Sequence, residues 1–85
     1  MRVPTATKRD RILSKLVQLL SERREAVGLS KNRLAQQAGL SIGAIRFIED
    51  GKRKPSMETL LRIAEALNVD LWKVLKDATD SVKGK

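Results

Sequence analysis

Lys31, Arg33, Arg46, Lys52, Arg53 and Lys54 crowd a short central stretch of the chain. The chemistry such side chains offer is neutralisation of a polyanion, and the whole chain leans the same way. Its 18 Lys+Arg against 10 Asp+Glu give a formal charge of +8 on 85 residues. A surplus of that size favours nucleic acid or an anionic membrane surface over a neutral partner. For the charge taken alone, a well-solvated surface is the competing reading. The chain contains neither histidine nor cysteine. The commonest general base, the commonest metal ligand and the thiolate nucleophile are therefore all missing. Carboxylates are dispersed and no phosphate-cradling glycine loop occurs, so no enzyme, cofactor or metal is expected. Phe47 and Trp72 are the only aromatic residues, too few for stacking successive bases of a single strand. No apolar run approaches a membrane span, and no secretory leader is expected.

The elements that must position these cations are all helical. Residues 1–6, with Arg2 and Pro4, carry no period and read as a flexible arm. Thr7 with Asp10 three residues on has the form of a capping box. Leu13, Leu16 or Val17, Leu20, Arg24 and Val27 then recur at helical spacing until Gly28 stops them. Ser30 caps a second helix that buries Leu34, Ala35 and Ala38. Ser41 caps a third with Ile45 and Ile48 inward, closed by Gly51. Lys52 to Pro55 form a basic loop. Ser56 caps a fourth helix with Leu60, Leu61, Ile63, Ala64 and Leu67 inside, and Asn68-Val69 turns into a fifth capped by Asp70 and lined by Leu71, Trp72, Val74 and Leu75. Residues 77–85 lose the period and read as a flexible tail. No stretch alternates with period two. The expectation is an all-α, compact five-helix bundle spanning residues 7–76.

Residues 31–50, KNRLAQQAGLSIGAIRFIED, have a more particular logic. Ala35 is small enough for a following helix to cross closely, Gly39 supplies a left-handed turn, and Ile45 locks the next helix onto the first. This is helix-turn-helix spacing, in which the second helix can enter a major groove about 12 Å wide. From Leu29 to Leu75, through LSKNRLAQQAGLS, IRFIEDGKRKPSMETLLRIAEALNV and LWKVL, the chain resembles the Cro/CI-type (Xre-like) helix-turn-helix family.

That resemblance implies a lambda-repressor-like DNA-binding domain, dimeric on a pseudo-palindromic operator, working as a cytoplasmic, nucleoid-associated transcriptional regulator. It implies double-stranded DNA contacts at Lys31, Asn32 and Arg33, then at Ser41, Ile42, Gly43, Arg46 and Phe47. Lys52, Arg53 and Lys54 fall where flanking phosphates would lie. Three positions, at two places, depart from the family pattern. Lys31 replaces a frequent glutamine and opposes the helix dipole unless a phosphate sits beside it. Ile42-Gly43 replaces amides that could pair with adenine, so base readout should lean on Arg46 with guanine or phosphate and on Ile42 and Phe47 with thymine methyls. Phe47 could instead cover the bundle, and Arg46 could be an ordinary solvated charge.

The resemblance also implies a partly buried ion pair between Arg24, on the apolar stripe of the first helix, and Glu49. Leu71, Trp72 and Leu75 exceed what a terminal helix needs for its own packing. They suggest a homodimer face, although Trp72 could equally plug the core; Ile12, Leu13 and Leu16 offer a second face. A repressor or autoregulator leads. A restriction–modification controller or an antitoxin with a toxin partner stays open, and a protein-interaction module without DNA binding is the weaker rival. A membrane-surface helix is disfavoured because Asp10, Glu22 and Glu25 interrupt the basic residues of the first helix.

Overall fold

The structure is a computed structural model that describes residues 6–83. It contains α1 (Lys8–Ala26), α2 (Lys31–Ala38), α3 (Ile42–Glu49), α4 (Met57–Ala66) and α5 (Leu71–Lys83), with no strand among the described residues. Four helices start where a hydroxyl side chain can accept an otherwise unpaired backbone N–H. The Thr7 hydroxyl accepts from the Asp10 amide while the Asp10 carboxylate accepts from the Thr7 amide, each at 3.1 Å. Ser30, Ser41 and Ser56 accept from the amides of Arg33, Ala44 and Thr59. Asp70 works differently: its carbonyl accepts from the amides of Lys73 and Val74, and its carboxylate pairs with Lys73.

The core gathers Leu16 and Leu20 of α1, Leu34 and Ala35 of α2, Ile45 and Ile48 of α3, and Leu60 and Ile63 of α4, with Leu67 just after it. Leu34 and Ile45 are the largest side chains fully withdrawn from solvent. Each such burial contributes about 1.5–3 kcal/mol, and together these two clamp α3 onto α2. Helix α2 also packs on α4, while α1 lies along α5 and touches α3.

Three expectations from the sequence need correction or bounding. Residues 77–83 are not a frayed tail but the last two turns of α5. Ala78 is 0% exposed, and the half-buried Val74 and Val82 lie one turn before and after it at helical spacing. Together with Leu71 and Val74, which also pack on the core, Ala78 seats α5 where it lies along α1, and the exposed Lys76–Asp80 pair at 2.7 Å supports the helix itself. Leu61 is not inside: it is 52% exposed, because at 100° per residue it falls outside the stripe that Leu60, Ile63, Ala64 and Leu67 turn to the core. The arm expected over residues 1–6 lies outside the described residues apart from Ala6, whose carbonyl accepts from Arg11; residues 84–85 lie outside them too.

Candidate nucleic-acid interface

Helix α3 is held from below and open above. Ile45 and Ile48 are buried, Ala44 is half-buried, and Arg46, Phe47 and Asp50 stand exposed. At 100° per residue, Gly43, Arg46, Phe47 and Asp50 share the outward face, with Ile42 and Ser41 at its leading edge. Phe47 is 51% exposed, so it does not serve as cover for the bundle. The α2–α3 turn sets the crossing of the two helices. Gly39 sits at φ +70°, the left-handed region where a side chain is strained, and the Leu40 amide closes back on the Ala35 carbonyl at 2.8 Å. Arg62 of α4 supports this turn: one guanidinium nitrogen donates to the Ala38 carbonyl and the others hold Glu58. Composition and helical period do not mark Arg62 as a functional residue; its i,i+4 spacing from Glu58 is the signal the sequence offers.

At the other end of α3, the Phe47 carbonyl accepts from the amides of Lys52 and Arg53, which folds the basic loop back beside the helix. Lys52, Arg53 and Lys54 are exposed, as are Asn32 and Arg33; Lys31 is half-buried. Among the described residues, the side chains of Arg33, Arg46, Lys52 and Arg53 are paired with no carboxylate. Their charge is therefore available to a phosphate. Lys54 differs, reaching Asp10 at 3.3 Å across the groove between the loop and α1.

Asp10 is thus held below the ordinary carboxylate range, first by the Thr7 amide and next by Lys54. Its folded form favours the ionised carboxylate, so the contribution is present above the ordinary carboxyl pKa of 3.8 and is lost as pH falls below it. Acidification below that point should fray the first turn of α1 and release Lys54 while α2–α4 hold. Amide shifts of Thr7 and Asp10 across an acid titration measure it; movement of the α3 amides in the same step would contradict it.

Beneath α3, Arg24 and Glu49 form a near-buried pair, with 9% and 11% of their side chains exposed. The Arg24 Nε donates to one Glu49 oxygen at 2.9 Å and Nη2 to the other at 3.1 Å, while Nη1 donates to the Leu29 carbonyl at 2.8 Å. The Ser21 hydroxyl donates to the same carboxylate at 3.1 Å. This network ties α1 to the C-terminal turn of α3 and to the chain leading into α2, so it fixes both ends of the helix-turn-helix unit on one post.

A second feature lies on the α4–α5 side. Trp72 is 64% exposed, and Met57, Leu61 and Leu75 join it around a shallow groove floored by Val69 and Leu71. Trp72 therefore does not plug the core.

Residues 20–71 match the model of the helix-turn-helix family, well over half of the chain. The chain belongs to the helix-turn-helix family, of the Cro/CI (Xre-like) type. This helix-turn-helix protein is 30% identical over 57 residues to the cryptic phage CTXphi transcriptional repressor RstR of Vibrio cholerae, covering 67% of the chain and 51% of the repressor. It thus spans about half the length of that relative. Among solved structures it is similar to the restriction-modification controller protein C.AhdI from Aeromonas hydrophila, with 35% identity, a TM-score of 0.68, and coverage of 73% of this chain and 94% of that one. The clp gene regulator ClgR from Corynebacterium glutamicum gives 25% identity and a TM-score of 0.73 over 94% of this chain and 81% of its own.

Proposed function

We propose that this helix-turn-helix protein is a sequence-specific double-stranded DNA-binding transcriptional regulator, a repressor or autoregulator working on the nucleoid. One observation carries the reading: α3 is anchored by Ile45 and Ile48 while its opposite face and the adjoining basic loop stand free with unpaired cations. In this reading α3 enters the major groove. Arg46 reads a base edge, Lys31, Asn32, Arg33 and Ser41 hold the phosphates at its start, and Lys52, Arg53 and Lys54 hold those at its end.

Selection of bound duplexes from a random pool tests it, and should return one preferred half-site repeated in inverted order. Against that duplex, Arg46→Ala is expected to lower specific affinity by about 1–3 kcal/mol and leave random-duplex affinity nearly intact. Equal loss on both duplexes would make Arg46 a phosphate clamp.

The protein acts as a homodimer. Met57, Leu61, Trp72 and Leu75 make an apolar patch that a monomer would leave in water, and a second copy related by a two-fold would cover it. The two α3 helices would then meet half-sites about 34 Å apart. Trp72→Glu is expected to yield a monomer with the parent helical content and operator affinity down by about a hundredfold or more. Sedimentation and gel shift read the two effects; a dimer that survives the change would place the interface elsewhere. A role as restriction–modification controller is the second reading, favoured by the similarity to C.AhdI along nearly all of that chain. An antitoxin with a toxin partner would use the same fold.

A further inference from the structure

Gly43 has no structural reason to be glycine. Gly28, Gly39 and Gly51 adopt φ of +74°, +70° and +76°, where other residues are strained, whereas Gly43 does not have a positive φ. It lies within the first turn of α3, where glycine weakens a helix relative to alanine. Packing does not require it either: a Cβ built there would meet nothing nearer than the Ser41 hydroxyl at 3.9 Å. The fold would accept a side chain that the sequence withholds.

Its position explains the omission. Gly43 is at the middle of the outward face, one turn ahead of both Arg46 and Phe47, whose side chains lean back toward the helix start. With Ile42 beside it, the outward face carries a stretch of bare backbone at Gly43, flanked along the helix by Ile42, Arg46 and Phe47. We propose that Gly43 is a specificity-determining residue: its missing side chain lets α3 seat close to the base pairs and admits a thymine C5 methyl between Phe47 and Ile42, while Arg46 takes a neighbouring base or phosphate. The inference rests on the regulator reading above and names the group that α3 reads.

The bare position at Gly43 brings no donor or acceptor side chain of its own, and its neighbours Ile42 and Phe47 are apolar. In the major groove, the thymine methyl is the base-edge group that matches this chemistry. A methyl added from the protein side, as alanine, would occupy the same space.

The test uses the full chain and the preferred duplex from the random-pool selection. Gly43→Ala is expected to leave the melting temperature equal or higher, because alanine favours the helix, yet to lower affinity for that duplex by about tenfold or more. Random-duplex affinity and the salt slope should not move. Replacing each thymine of the half-site in turn by deoxyuridine, which removes only the methyl, should weaken the parent at one position and leave Gly43→Ala indifferent there. A Gly43→Ala protein that binds as tightly as the parent, or a parent indifferent to every thymine-to-deoxyuridine exchange, overturns this inference alone. A pool that yields no preferred duplex overturns the regulator reading as well.

Discussion

Glu49→Ala is expected to destabilise the fold by about 3–5 kcal/mol, because it leaves the Arg24 guanidinium in a nearly dry site. Arg24 would retain the Leu29 carbonyl and a distant contact to the exposed Glu25 carboxylate at 3.8 Å, neither of which replaces two charge-assisted bonds. On a domain of this size, each kcal/mol shifts the melting temperature by about 4–8 °C, so the midpoint should fall on the order of 20 °C. Replacing both partners by apolar residues of similar volume should recover most of the loss, since the cost lies in the stranded charge. A single-variant loss below about 1 kcal/mol would mean that water screens the pair as it does on a surface. The expected consequence reaches beyond stability. The post joins α1, the entry to α2 and the end of α3, so DNA affinity should decline near the melting range before helical content does.

The second large effect is electrostatic. Raising monovalent salt from about 50 to 200 mM should lower operator affinity about a thousandfold, given six phosphates neutralised per dimer and a slope near −0.9 for each. Six is half of the cations that two subunits bring from Lys31, Arg33, Arg46, Lys52, Arg53 and Lys54. Arg53→Ala removes one cation from each subunit, so the slope should flatten by about 1.8 in the dimer. Lys54→Ala should flatten it less, because Lys54 already has Asp10 as a partner. Fluorescence anisotropy across a salt series measures the slopes. A slope shallower than about −2 would show that the basic loop does not approach the phosphates.

Much of the helical plan was legible in the residue order because its determinants are local. Hydroxyl side chains at Thr7, Ser30, Ser41 and Ser56 cap helices within three residues of themselves, and Gly39 forms its turn through its own backbone freedom. The inward pair Ile45 and Ile48 follows from helical spacing alone. Spacing also marked the outward residues Arg46 and Phe47, whose exposure then settled that Phe47 does not cover the bundle.

The sequence by itself therefore determined the first four helices with their hydroxyl caps, the start of the fifth, the tight turn and the cationic balance, all of which depend on near neighbours or on composition. Tertiary structure decided what depends on residues far apart in the chain. It showed Ala78, an unremarkable small residue, closing α5 against α1, and it turned Leu61 and Trp72 outward into a shared patch. It joined Lys54 to Asp10 and Arg62 to the Ala38 carbonyl. It also revealed that nothing in the packing asks for glycine at position 43. A period shows which face of a helix is apolar, but only a packed neighbour decides whether that face is covered.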